Sequence, residues 1–166
     1  DNLGQWKQAV AFLLTTRGIP QLYYGQELLM NGSKERSDGY VRKDVKGGFP
    51  GDTLSEFTPE GRTQLQNEAF DYLSRIAHWR RSSDIIAKGS LKHFIPYKGI
   101  YVYERRLGDK NVVIVMNGTD DTISIDFERY NEVLPIGTTR TDVVTGKNIT
   151  INEVMNFSPR KTLILE

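Results

Sequence analysis

The chain has 166 residues, about the length of one domain or slightly more, and its 38% hydrophobic and 26% charged residues are ordinary for a globular protein. Its 22 Lys and Arg residues balance 21 Asp and Glu residues, which argues against a dedicated nucleic-acid binder. Because the chain contains no cysteine, disulfide frameworks and thiolate metal sites are excluded.

No segment of the sequence is typical of membrane insertion or export. The longest purely apolar run, residues 9–14, is far too short to cross a bilayer, so we expect no membrane span. No basic region followed by a long apolar stretch is visible, so no signal peptide is indicated. The chain begins at Asp1 rather than Met, and we therefore expect residues upstream of it.

The first element is a helix over residues 3–17, in which apolar side chains recur at helical spacing. Asp1 or Asn2 can act as its N-cap, and Gly18 fits a C-terminal cap. The apolar residues 19–24 follow without alternation, which is typical of a strand buried on both faces of a parallel sheet.

Residues 26–57 lose the apolar periodicity and predict a long irregular loop, of a length that is usually functional or disordered. A second helix is predicted from Thr58 as N-cap and Pro59 as its first residue. One face of it is apolar, and Arg80 and Arg81 lie favourably near its C-terminal end.

Residues 85–166 predict six to eight short strands separated by turn signals, which favours an antiparallel sandwich. The predicted strands cover residues 100–103, 112–116, 123–127, 141–144, 149–151 and 162–165. The domain boundary is therefore expected at residue 84, with residues 1–84 and 85–166 as the two domains.

No nucleophile elbow, phosphate-binding glycine loop, zinc helix or calcium loop is present. His78 and His93 lack partners at ligand spacing, so no metal site is predicted. Carboxylates that follow the predicted strand could pair for glycosidic chemistry, but their spacing distinguishes none of them. They are Glu27, Glu35, Asp38, Asp44, Asp52 and Glu56.

Several stretches of sequence resemble a known family. Residues 13–27 closely resemble the eighth-strand motif of the alpha-amylase family, glycoside hydrolase family 13. Residues 38–44 and 47–52 are similar to the following loop in its neopullulanase and cyclomaltodextrinase branch, and residues 112–117 and 142–146 are similar to its C-terminal sandwich.

The resemblance implies an α+β fragment in which residues 1–84 are the end of a (β/α)8 barrel, followed by an antiparallel sandwich. Residues 19–24 would be the eighth strand, with the seventh helix before it and the long loop and eighth helix after it. The catalytic carboxylates of the family would precede Asp1. The parent would then cleave alpha-glucosidic bonds of maltooligosaccharide, cyclodextrin or pullulan with retention, and this chain alone would be inactive.

A few residue roles follow from the same resemblance. Arg42 and Asp44 match the branch's loop motif and are expected to bind substrate, and Glu27 is expected at the rim of the site. Gly25 would form a tight turn, and Tyr24 is expected to pack behind the site. No catalytic residue and no metal ligand is expected within this chain.

The resemblance also implies calcium as a cofactor of the parent, none in this chain, and it favours the periplasm over the cytoplasm. The expected partners are an alpha-glucan and a second copy of the chain. The second copy would bind through the exposed half-barrel of residues 1–84, whose apolar side chains would otherwise face solvent. These are Trp6, Phe12, Leu13, Leu22 and Tyr23. The alternative function is a non-catalytic carbohydrate-binding or interaction module, with Tyr97, Tyr101 and Tyr103 as available aromatic residues.

Overall fold

The computed structural model describes residues 2–35 and 37–166, which form two compact units. The first, here called the β unit, consists of the segment up to Pro20 together with Arg75–Glu166. The second, here called the loop unit, consists of Gln21–Ser74. The predicted cap at Asp1 lies outside the described residues.

The helices and strands follow one another in a simple order along the chain. The described α-helices are α1 Asn2–Thr15, α2 Gln64–Ser82 and α3 Asp84–Lys88. Short 3₁₀ helices cover Gln26–Leu28, Asp38–Val41, Pro59–Gly61 and Glu128–Tyr130. The described strands are β1 Ser90–His93, β2 Ile100–Leu107, β3 Lys110–Asn117, β4 Ile123–Asp126, β5 Thr139–Thr141, β6 Asn148–Thr150, β7 Val154–Phe157 and β8 Thr162–Leu165.

All strand pairs among the described residues are antiparallel, which confirms the predicted antiparallel β domain. One sheet has the order β1-β2-β3-β8, and two smaller sheets pair β4 with β7 and β5 with β6. Their inner faces share one apolar core, because side chains alternate between the two faces of a strand. The core includes Val102, Val115, Ile125, Phe127, Phe157 and Leu163.

Helix α1 lies on the other face of the four-stranded sheet and is held there by polar side chains of β2. The Tyr103 hydroxyl lies 2.6 Å from the Thr15 hydroxyl, and burial raises the pKa of the Tyr103 phenol. The buried Arg105 guanidinium donates to the carbonyls of Thr15 at 3.0 Å, Thr16 at 2.9 Å and Gly89 at 2.7 Å. Arg105 therefore caps α1, whose last carbonyls have no partner within the helix.

The prediction for the first helix is confirmed apart from its end, which lies at Thr15 rather than residue 17. The predicted strand over residues 19–24 is wrong, because these residues have no regular structure and Ile19 is 98% exposed. A parallel strand requires hydrogen-bonding neighbours, and the described part of the chain places no strand beside it.

The predicted start of the second helix is also wrong. Thr58 and Pro59 begin only a 3₁₀ turn, and α2 starts at Gln64. Its N-terminus is a capping box, in which the Gln66 amide donates to the Thr63 hydroxyl at 3.2 Å and the Thr63 amide donates to the Gln66 side chain at 2.8 Å. The helix cannot run continuously from residue 59, because Arg62 has extended backbone angles.

Within the described part of the β unit, α3, β1, β7 and the 3₁₀ helix Glu128–Tyr130 were not predicted from the sequence. The predicted strand over residues 141–144 is displaced, since β5 ends at Thr141 and the next residues form a turn. That turn is closed by the Gly146 amide, which donates to the Asp142 carbonyl at 2.7 Å. The strand predicted over residues 162–165 is confirmed with these bounds, and the other four predicted strands are present with shifted ends.

Candidate functional site

The candidate site lies in the loop unit and begins at a tight turn around Gly25. Gly25 has φ 83°, and its carbonyl accepts from the amides of Leu28 at 3.1 Å and Met30 at 2.9 Å. A Cβ at residue 25 would lie 2.2 Å from the Met30 sulfur. Only glycine combines this backbone conformation with this close approach, so the turn depends on it.

Two adjacent tyrosines precede this turn and are exposed. The rings of Tyr23 and Tyr24 lie 4.7 Å apart, and Tyr24 is 46% exposed. Partial desolvation and Tyr23 raise the pKa of the Tyr24 phenol; the Asp44 carboxylate acts in the same direction and the Arg42 guanidinium opposes it. Tyr24, Arg42 and Asp44 are therefore close enough to interact electrostatically.

Asp44 also lines a cleft of ≈ 180 Å³ within the loop unit. The cleft combines an apolar wall with charged and amide side chains, which is the composition expected for a small polar ligand that needs both contact area and hydrogen bonds. The lining residues are Leu28, Leu29, Met30, Asn31, Lys43, Asp44, Lys46, Glu56 and Gln66.

Hydrogen bonds fix one wall of the cleft. The Glu56 carboxylate accepts from the Lys46 amide at 3.2 Å and from the Gln66 side chain at 3.0 Å. The Lys43 ammonium lies 4.6 Å from the centre of the Tyr40 ring, which is within the range of a cation–π interaction. These contacts connect the irregular loop to the first turn of α2.

The turn that follows Lys46 is closed by a carboxylate. Asp52 accepts from the backbone amides of Gly47 at 2.7 Å and Phe49 at 3.0 Å. These bonds favour the charged form and lower the pKa of the Asp52 carboxyl. The carboxylate of Asp52 is therefore engaged in shaping the turn.

Two of the three predicted binding residues come together, and the third does not join them. Arg42 and Asp44 are exposed and act on Tyr24. Glu27 is half-buried in the short helix after Gly25 and is not among the residues that line the cleft. Tyr24 is 46% exposed in this chain, and its packing behind the site stays a prediction for the complete barrel.

Several cleft residues were missed by sequence reasoning. Asn31 and Lys46 lie within the irregular segment and match no motif, and Gln66 lies beyond the end of that segment. Gln66 lies three residues after Thr63, so the capping-box pattern could have located the start of α2 and with it this side of the cleft.

The tyrosines that the sequence offered for a sugar-binding β domain do not form one exposed platform. Tyr103 is 1% exposed and Tyr101 is half-buried, with ring centres 5.2 Å apart and planes tilted by 35°. Tyr97 is 45% exposed, at a tight turn in which Lys98 and Gly99 both have positive φ. A second cavity of ≈ 420 Å³ lies near the β2–β3 turn and is lined by Ile85, Asp109, Lys110, Asn111, Arg140 and Glu166.

Across residues 2–35 and 37–166, no group of three or more His, Asp or Glu side chains is arranged to hold a metal ion. Over the same residues, every helix is too short or too polar to span a bilayer.

Comparisons of the sequence and the fold with known proteins show which enzymes this chain is similar to. A family model described as the cyclo-malto-dextrinase C-terminal domain matches residues 91–166. A cyclomaltodextrin glucanotransferase of Bacillus licheniformis is 33% identical over 153 residues, which are 90% of this chain and 18% of that protein. Residues 91–166 therefore match this C-terminal domain, and the whole chain is similar to a C-terminal part of alpha-amylase family enzymes.

Other relatives show the same similarity to alpha-amylase family enzymes. An alpha-amylase of Niallia circulans is 32% identical over 149 residues, which are 87% of this chain and 24% of that protein. The fold is similar to an alpha-amylase of Geobacillus thermoleovorans solved with acarbose, with a TM-score of 0.74 and 22% identity over 99% of this chain and 33% of that one. The chain thus spans about a fifth to a quarter of the length of these curated relatives.

Proposed function

We propose that this chain is the C-terminal part of a retaining alpha-glucan hydrolase whose catalytic carboxylates precede residue 1. The observation that carries the proposal is Asp44, which lines the cleft and, like Arg42, interacts electrostatically with the exposed Tyr24, in a chain related to a cyclomaltodextrin glucanotransferase and an alpha-amylase. Sugar hydroxyls are bound by charged side chains and exposed aromatic rings, which these three residues provide.

We further propose that residues 1–84 are the end of a (β/α)8 barrel. Three adjacent apolar residues, Leu22, Tyr23 and Tyr24, are 38%, 49% and 46% exposed, as expected of a segment that would pair as a strand only within the complete barrel. The long loop after them would then lie at the active-site face, where loops follow the strands of such barrels. Sequence similarity to the family's eighth-strand motif supports the same assignment.

Reducing-sugar release from pullulan, cyclodextrin and starch by the purified chain tests where the chemistry resides. We expect no release above buffer, because retaining cleavage needs a nucleophile and an acid on opposite sides of one bond. Turnover by the chain, with contaminating amylase excluded, would contradict the assignment of the catalytic carboxylates upstream.

Sugar binding by the loop unit is tested separately, by titrating maltooligosaccharide against the whole chain and following its amide resonances. We expect changes at Tyr24 and Asp44, and a roughly tenfold loss of affinity in Arg42→Ala, since a hydrogen bond from a charged group is removed. Lys88→Ala is the matched control, because Lys88 belongs to an exposed ion pair of α3. Equal affinities of the two variants would contradict a role for Arg42.

The second candidate function is a carbohydrate-binding module built on the β unit. The observation that favours it is Tyr97, which a rigid turn presents to solvent. In the same titration, binding lost in Tyr97→Ala and kept in Tyr24→Ala would favour this function. The reverse result would favour the site in the loop unit.

Association of two copies through the exposed side chains of the half-barrel stays part of the proposal. Phe12, Leu22 and Tyr23 are exposed, whereas Trp6 and Leu13 are half-buried. Sedimentation of the chain over a range of concentrations tests it. A single monomeric species at every concentration would contradict the association.

A further inference from the structure

The chain contains two Asn-Gly pairs, Asn31-Gly32 and Asn117-Gly118, which occupy very different environments. Asn31 is exposed at the cleft of the loop unit, whereas Asn117 is 0% exposed at the end of β3. Asn-Gly is the sequence in which the following backbone nitrogen reaches the side-chain carbonyl most easily, because glycine has no Cβ to obstruct the approach.

Asn117 is held on every side. Its side-chain nitrogen donates to the carbonyls of Asp121 at 2.8 Å and Ser158 at 3.0 Å, and its side-chain oxygen accepts from the Thr119 amide at 3.0 Å. The Gly118 amide itself donates to the Gly99 carbonyl at 2.8 Å. Attack by the Gly118 nitrogen on the Asn117 side chain would require these bonds to break.

Asn31 lacks such protection. Neither its side chain nor the Gly32 amide makes a hydrogen bond within residues 2–35 and 37–166. The neighbouring hydrogen bonds involve other groups: the Met30 amide donates to the Gly25 carbonyl at 2.9 Å, and the Glu35 amide donates to the Ser33 hydroxyl at 3.2 Å. Asn31 and Gly32 are both exposed, so neither of these bonds has to break before the Gly32 nitrogen attacks the Asn31 side chain.

We propose that Asn31 is a site of spontaneous deamidation through a succinimide, and that Asn117 is protected from the same reaction by the fold. The Gly32 nitrogen loses its proton and bonds to the side-chain carbonyl carbon of Asn31, and the side-chain nitrogen leaves as ammonia. Water then opens the succinimide at either carbonyl and yields aspartate or isoaspartate. The only co-reactant is water, and no oxidation or reduction occurs.

The modification changes the charge of the cleft. Its lining holds two lysines, Lys43 and Lys46, and two carboxylates, Asp44 and Glu56. Conversion of Asn31 adds a third carboxylate beside them, and the isoaspartate form also lengthens the backbone before Gly32. This inference does not depend on the proposed function, since it follows from exposure and hydrogen bonding alone.

Peptide mapping of the whole chain after incubation at neutral and mildly alkaline pH tests the proposal. Asn31 is the only asparagine in the tryptic peptide of residues 18–34, and fragmentation separates Asn117 from Asn111 in the peptide of residues 111–129. We expect Asn31 to be converted at least about tenfold faster than Asn117, because the latter must first open. The rate should rise with pH, and isoaspartyl methyltransferase should label the product.

Two controls make the outcome decisive. In urea, where both pairs are unfolded, the two rates should converge. Asn31→Gln keeps the amide but requires a larger ring for attack, so the acidic species seen by ion exchange should not form at residue 31. Equal rates for both sites in the folded chain, or an unchanged Asn31 in the folded chain while the unfolded one reacts, would overturn the proposal.

Discussion

The β unit and the loop unit use their apolar side chains in opposite ways. In the β unit, large side chains such as Phe127, Tyr130 and Phe157 are fully buried in one core. In the loop unit, Phe49 and Phe57 are 59% and 62% exposed, and among its described residues only Leu28, Ala69 and Tyr72 are buried apolar ones. The first is stabilised by packing, and the second depends on turns, caps and hydrogen bonds.

The largest expected effect is the loss of a buried ring from the β unit. Phe127 stacks on Phe157 with ring centres 5.8 Å apart, and Phe127→Ala should cost about 3–5 kcal/mol of unfolding free energy because it leaves a cavity. Urea unfolding measures it. Phe49→Ala, the matched change in the loop unit, should stay within about 0.5 kcal/mol. Equal losses of unfolding free energy in the two variants would contradict the difference in packing between the two units.

A smaller loss of unfolding free energy is expected from Arg105→Lys, which keeps the positive charge of the buried side chain that caps α1. An ammonium cannot reach the carbonyls of Thr15, Thr16 and Gly89 together, so buried acceptors remain unsatisfied at a cost of about 1–3 kcal/mol. Hydrogen exchange should show faster exchange at the end of α1. The control is Arg75→Lys, since Arg75 is bonded only to the Val144 carbonyl in an exposed position. A similar effect of both changes would contradict a special role of the clamp.

In the loop unit, Gly25→Ala should act locally and more weakly. The substitution forces a Cβ against Met30 at positive φ, and we expect a cost of about 1–2 kcal/mol. Exchange of the Leu28 and Met30 amides, which donate to the Gly25 carbonyl, should accelerate. Gly51→Ala shares the positive φ but meets no atom within 4 Å, so it should leave these two amides unchanged.

The smallest effect is a pH dependence of the turn around Asp52. The pKa of the Asp52 carboxyl is lower in the folded chain than in the unfolded chain. Its contribution to stability is therefore fully present at pH values above the ordinary pKa of an aspartate, and it is lost as the pH falls through the lowered pKa. The amide resonances of Gly47 and Phe49 should shift over that range. Asp52→Asn should abolish the transition, and its persistence in the variant would assign it to another group.

The sequence predicted the strongly patterned elements and failed where tertiary contacts decide. The apolar spacing located α1, and the alternation located β2 and β3. It missed β1, because Lys92 and His93 carry no alternating apolar signal and this edge strand exists only through its pairing with β2.

The start of α2 shows the same limit. Thr58-Pro59 and Thr63 with Gln66 both satisfy the local rules for a helix N-terminus. Both patterns could start the helix, and the choice between them depends on the fold: Gly61 lies against the backbone of Ser55, and no local pattern encodes that contact.

The candidate site was predicted in its residue types but not in its arrangement. Arg42 and Asp44 were found through a motif, whereas their proximity to Tyr24, nearly twenty residues earlier, is a property of the folded loop. Glu27 follows the same turn in sequence, yet the short helix after Gly25 places it half-buried.

The clamp at the end of α1 has a consequence for acid tolerance. Arg105 is bonded to backbone carbonyls, which do not titrate, whereas Arg160 is paired with the Asp120 carboxylate. Acidification protonates carboxylates and releases pairs of the second kind, but it removes nothing from the first. The attachment of the helix to the sheet should therefore outlast the surface ion pairs as the medium becomes acidic.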